Sequence, residues 1–340
     1  MARIGLRLLA VLAVAVIAAG CGSHHAAPRV GGSIGSVAWS PGGSAIAWGE
    51  RARGGERIWT SAPDLSDAHP ATGPIDALGQ IAWLGPHRLL YWADFRLFVV
   101  VPGRRPSLLA GVAGSDFSVD RSRSRIALGG PACSTGCNGG VEVLKVQHPV
   151  ARVFDRGNQS SIASLAPSGN EIAFGRTLCA SSGRCERPFG IWVASVPSGG
   201  LRRLTQTGCC PAWSPDGREV AYLRTTVAPT AASLRIVPAL GGGGRTLVSF
   251  AGQSAGAPAW SPDSRRLAVA TRGTGRLVIV DVKTGERVVA SRAVGPVVEL
   301  AWSPDSSKLL VGGWSSPGTC ASLWLVEAAT GQGRLLLRCR

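Results

Sequence analysis

One phrase is repeated through the chain: PAWSPDGREVAYL at 211–223, PAWSPDSRRLAVA at 258–270 and LAWSPDSSKLLVG at 300–312. An earlier copy, VAWSPGGSAIAWG (37–49), is nearly complete. Three degraded copies lie between them: IAWLGPHRLLYWA (81–93), SDFSVDRSRSRIALG (115–129) and ASLAPSGNEIAFG (163–175). Alignment puts Trp39, Trp83, Phe117, Leu165, Trp213, Trp260 and Trp302 in one column, at steps of 44, 34, 48, 48, 47 and 42 residues. A unit of this length cannot bury its own apolar face, so each must be covered by its neighbour.

Each unit reads as four short strands. The first ends in the AWSPD phrase, and an apolar run such as EVAYL or RLAVA makes the second. A third alternating run follows (IWVASV, LVIVDV, LWLVEA), and a tight turn leads into the fourth, as in KTGERVV (283–289). Proline presets a turn, Ser and Asp bond local amides, and Gly tolerates the exit geometry. The phrase is therefore read as scaffold, with Trp213, Trp260 and Trp302 as core wedges and Asp216, Asp263 and Asp305 as turn residues. Four strands per unit at this period predict an all-β, seven-bladed β-propeller. The short step after Trp83 leaves a six-bladed ring as the alternative.

The wording also resembles the WD40-like repeats of the TolB propeller family, in which W/F-S-P-D-G precedes an apolar strand. That resemblance implies six blades and an amino-terminal α/β domain. This chain departs on both points, with seven units and only a short segment before the first.

The amino terminus, MARIGLRLLAVLAVAVIAAGC, reads as an export signal. Arg3 and Arg7 precede an apolar run too short to span a bilayer. Ala18, Ala19 and Gly20 before Cys21 resemble the lipobox of bacterial lipoproteins. The resemblance implies cleavage before Cys21, a lipid on its sulfur and attachment outside the cytoplasmic membrane. The expected organisation is a signal peptide over 1–20, a flexible tether over 21–35 and the propeller over 36–340.

The net charge of +16 invites a nucleic-acid reading, but the basic residues are scattered arginines with only Lys145, Lys283 and Lys308 among them. No basic helix or run supports such a partner. A loose, non-specific attraction to acidic lipids or envelope polymers fits the charge.

Of nine cysteines, Cys21 is assigned to lipid, and an even remainder in an exported chain argues for disulfides. Spacing suggests Cys133 with Cys137, Cys179 with Cys185, and Cys320 with Cys339, the last pair lying opposite each other across a terminal hairpin. That pair is expected to pin the last strand in place of an exchanged amino-terminal one. Cys209 and Cys210 pair with each other or with Cys179 or Cys185. All eight map to one face of the disk, which the insertions at 129–140 and 176–190 also decorate. Arg184 and Arg187 in the second insertion, and Trp314, are candidate contact residues on it.

Zinc knuckles come as paired C-x2–4-C motifs, which this spacing does not supply, so neither metal nor cofactor is expected. The string GGSIG (31–35) matches the G-x-S-x-G of hydrolases but lacks the strand–turn–helix setting that chemistry needs. No catalytic residue can be named. The functional expectation is a monomeric, lipid-anchored propeller that binds or assembles an envelope protein or polymer. The alternatives are a polysaccharide lyase or hydrolase with its site in the channel, and a sensor or accessory subunit of a membrane complex.

Overall fold

The computed structural model describes residues 29–30, 32–112, 114, 116–129, 140–155, 159–179, 185–226, 231–271, 275–290, 297–314 and 320–339. Its strands form seven antiparallel sheets of four, arranged as a β-propeller, and the last sheet gains a fifth strand. The blades span 33–70, 78–111, 116–155, 159–203, 209–251, 259–289 and 297–339. The six-bladed alternative is thereby excluded.

The second strands are the most apolar and the most deeply buried. Ile46, Leu89, Ile126, Ile172, Val220, Leu267 and Leu309, their first residues to face the tryptophan column, are all 0% exposed. Most apolar clusters combine residues of two adjacent blades, as in the packing of Ala268 and Ile279 of blade 6 against Trp302 and Val311 of blade 7. Stacking on the next blade thus supplies the cover that a single four-stranded sheet lacks.

Strand register corrects one member of the tryptophan column. Trp39, Trp213, Trp260 and Trp302 lie opposite Ile46, Val220, Leu267 and Leu309, each seven residues on. In blade 3 the residue at that place is Val119, opposite Ile126, and not Phe117, which faces Leu128. Phe117 is two residues earlier, so it shares a face with Val119 and presents the same apolar signal. The turn agrees: the Asp120 carboxylate accepts from the amide of Arg125 (2.9 Å), as the Ser214 hydroxyl accepts from that of Glu219 (2.9 Å).

The SPD turns bear out their assigned role. Ser214, Ser261 and Ser303 donate to Asp216, Asp263 and Asp305 at 2.5–2.6 Å. Hydrogen bonds led by the one from Ser303 hold the Asp305 carboxyl down at about 2. Turns also reach across blades, since the amides of Asp216 and Asp263 donate to the hydroxyls of Ser264 and Ser306.

Arginines tie the blades further. Arg123, Arg125, Arg152, Arg245, Arg266 and Arg287 each donate to a main-chain carbonyl of an adjacent blade. Scattered basic residues therefore have a structural use that needs no nucleic acid.

Closure differs from expectation. Arg29–Val30, within the segment read as tether, adds a parallel strand outside Gly333–Cys339 of blade 7. Ser33, also in that segment, begins the inner strand of blade 1, and its hydroxyl accepts from the Ala321 amide (3.0 Å). Ser33 to Gly35 of the GGSIG string thus lie on a propeller strand and not in a nucleophile elbow. The expected Cys320–Cys339 disulfide is present, with the Cα atoms 5.8 Å apart. It accompanies the amino-terminal strand rather than replacing it, and the Cys339 sulfur lies 2.9 Å from the Gly32 carbonyl oxygen.

Candidate functional site

The inner strands enclose a channel with two mouths. At the SPD-turn mouth a cavity of about 550 Å³ is lined by Trp39, Trp213, Trp260 and Trp302, by Pro41, Pro167, Pro215, Pro262 and Pro304, and by Asp120, Arg121 and Arg123. These tryptophans are mainly structural: Trp213, Trp260 and Trp302 are 7–8% exposed. The indole N–H groups of Trp260 and Trp302 donate to the Ala212 and Ala259 carbonyls of the preceding blades (2.9 and 3.0 Å).

The opposite mouth, on the cysteine-bearing face, opens into a cavity of about 590 Å³. With the corrected column, its chemistry falls on one repeat position, three residues before the tryptophan. In blade order these residues are Ser36, Gln80, Asp116, Ile162, Cys210, Ala257 and Glu299. Five of them, Ser36, Gln80, Asp116, Ala257 and Glu299, line the cavity. Two are engaged in structure. The Ser36 hydroxyl accepts from the Ile81 amide of blade 2 (3.0 Å), and the Gln80 side chain accepts from the Phe117 amide of blade 3 (2.8 Å).

Among the described residues the two carboxylates are not so engaged with a neighbouring blade. Enclosure by the channel wall raises the proton affinity of Asp116. The same desolvation pushes Glu299 up to about 7, and the negative charge of Asp116 adds to it. Both side chains are exposed at this mouth rather than packed in the core, so the shifts come from enclosure by the channel wall. With its affinity raised to about 7, Glu299 can hold or release a proton near neutral pH, which is the raw material of acid–base chemistry. Among the residues lining this cavity no histidine, tyrosine or lysine accompanies them.

Sequence reasoning singled out neither carboxylate, and counting three residues back from Phe117 would in any case reach Gly114 rather than Asp116. The available signal was a carboxylate in an otherwise apolar inner strand, as in VVELAW.

The predicted site residues are only partly placed. Cys21, Cys133, Cys137 and Arg184 lie outside the described residues. Cys179 ends the second strand of blade 4 and Cys185 begins the third, paired across the sheet, with Arg187 on that third strand. Trp314 ends the second strand of blade 7 opposite Ala321. For these four the main chain alone is described. Cys209 and Cys210 begin the inner strand of blade 5, their sulfurs 2.9 Å apart.

No protein-family model matches the chain, and no curated protein matches it. Solved structures share its fold. An oligogalacturonate lyase in complex with manganese superposes with a TM-score of 0.67 at 13% identity, over 89% of this chain and 90% of that one. An oligogalacturonate lyase from Vibrio parahaemolyticus gives 0.66 at 9% identity, over 88% and 90%. TolB from Acinetobacter baumannii gives 0.52 at 16% identity, over 73% of this chain and 63% of that one. Among the described residues no group of three or more His, Cys, Asp or Glu is placed to hold a metal ion. At these identities the likeness is one of fold.

Proposed function

We propose that this protein is an exported recognition module, held to the outer side of the cytoplasmic membrane by a lipid on Cys21. On this reading it binds an envelope protein or polymer at the cysteine-bearing mouth of its channel. The observation that carries the reading is the ring three residues before the tryptophan column. Its hydroxyl and amide members serve the scaffold, and its two carboxylates face the lumen with no histidine, tyrosine or lysine among the described residues that line it. TolB, whose repeats this chain resembles, shares the propeller and adds weight to an envelope setting.

A photo-reactive residue replacing Ala257 on the ring, compared with one replacing Leu240 at the opposite face, tests the reading in intact membranes. Leu240 is 92% exposed. A discrete adduct is expected from position 257 alone, and Cys21→Ser should move the protein into the soluble extracytoplasmic fraction. Equal adducts from both positions would sink the binding proposal.

The second reading is an enzyme acting on a polysaccharide, favoured by the Asp116/Glu299 pair itself. Two carboxyl groups in one cavity could protonate a leaving group and assist the attack of water. Depolymerisation by the purified protein that Glu299→Gln abolishes would establish it in place of the first.

A further inference from the structure

Adjacent residues on a regular strand point to opposite faces, which keeps their side chains apart. Cys209 and Cys210 break that rule. Cys210 is left-handed (φ +58°), the only ring residue among those described with a positive φ. The strand bulges between Cys209 and Ala212, and the two sulfurs lie 2.9 Å apart. Blades 1, 2 and 6 carry Gly35–Ser36, Gly79–Gln80 and Gly256–Ala257 at the same two places, with none left-handed. The propeller therefore requires neither the cysteines nor the conformation. What the conformation does achieve is the approach of the sulfurs.

We propose that Cys209 and Cys210 are a redox-active vicinal dithiol–disulfide couple at the channel mouth. This goes beyond the recognition reading and shares with it only the export of the chain. Residues joined by a trans peptide have Cα atoms about 3.8 Å apart, short of the roughly 4.4–6.8 Å that disulfides ordinarily bridge. A bond formed there is strained, and strained disulfides are the readily reduced ones. By contrast, Cys320 and Cys339, 5.8 Å apart on paired strands, lie within the ordinary range.

The oxidant is the disulfide of an exported thiol–disulfide oxidoreductase. One cysteine thiolate attacks a sulfur of that disulfide, forming a mixed disulfide and releasing the other sulfur as a thiolate. The second cysteine, deprotonated, attacks the mixed disulfide at its neighbour's sulfur and expels the remaining thiolate. Two protein thiols are oxidised and one disulfide is reduced to two thiols, which take up the two protons. Both cysteines pack on the apolar cluster shared by blades 5 and 6. Opening the bond would free Cys210 from its left-handed state at the rim of the mouth.

Trypsin releases residues 204–218 as a peptide whose only cysteines are these two. Full-length protein extracted from membranes, acid-quenched and alkylated with N-ethylmaleimide, should yield that peptide unmodified and two hydrogens lighter than the dithiol. In a dithiothreitol titration it should take up two maleimides at a reductant level roughly tenfold or more below that needed to open Cys320–Cys339, about 30 mV. In Cys209→Ser, Cys210 should become alkylatable without reduction. The proposal fails if the peptide is cross-linked to one containing Cys179 or Cys185. It fails equally if both thiols are alkylated even after treatment with diamide, or if the two disulfides open together.

Discussion

Trp302 and Trp213 occupy the same repeat position at nearly the same burial, 8% and 7% exposed, yet their indole nitrogens differ. That of Trp302 donates to the Ala259 carbonyl at 3.0 Å. That of Trp213 is buried and has no hydrogen-bond partner among the described residues. The substitution Trp→Phe removes the same ring atoms at both sites, so the shared loss of packing cancels in a comparison. At position 302 it also removes a hydrogen bond with a net value of about 1 kcal/mol. At position 213 it removes an unsatisfied buried donor, whose desolvation costs about 1–3 kcal/mol. Trp302→Phe should therefore destabilise the protein by roughly 2–4 kcal/mol more than Trp213→Phe. Urea unfolding followed by far-ultraviolet circular dichroism reads this as a lower midpoint at unchanged slope. Equal losses, or the larger loss at Trp213, would refute the view that indole bonds between blades contribute to closing the ring.

Three further outcomes are expected. Cys320→Ser with Cys339→Ser should cost about 3 kcal/mol, as expected for a closed loop of this order, measured against the oxidised parent in urea; the bond spans 19 residues. Because the folded state raises the Glu299 proton affinity to about 7 from 4.5, stability should fall as pH rises between those values. Glu299→Gln should then unfold at a higher temperature than the parent at pH 8 and at the same temperature at pH 4. Finally, Gly190 sits at φ +131°, and a Cβ there would meet the Thr205 carbonyl oxygen at 2.2 Å. Gly190→Ala should lose more than about 1 kcal/mol. Gly111→Ala, with open space around it, should be close to neutral in the same thermal melts.

The blade plan was legible because AWSPD carries two independent signals, a turn and an apolar wedge, at a regular spacing. Where the proline and tryptophan are lost, as in DFSVDRS, only the alternation remains. A period of two cannot distinguish Phe117 from Val119. Neither Asp116 nor Glu299 stood out, since which strand position faces the channel is set by closure of the ring and not by a local pattern. The Cys320–Cys339 bond could be read from a hairpin whose two arms are contiguous in sequence. The closing strand could not, because Arg29–Val30 finds its partner at the far end of the chain and the pairing leaves no local pattern. The environment of Cys209 and Cys210 was also illegible, since backbone handedness at a bulge is not encoded by adjacent cysteines.

Pairing of the first strand with the last has a consequence for the order of assembly. A chain that emerges amino end first presents Arg29–Val30 with no partner until Gly333–Cys339 has followed. Blades can form one after another from contacts within each sheet, but the ring stays an open arc throughout. The outer faces of its two end blades remain uncovered for the whole of that time. Their apolar residues, including Trp48 of blade 1 and Leu323 of blade 7, meet only when the arc closes. For this protein the interval between the appearance of the first blade and that of the last is the period of greatest exposure to aggregation.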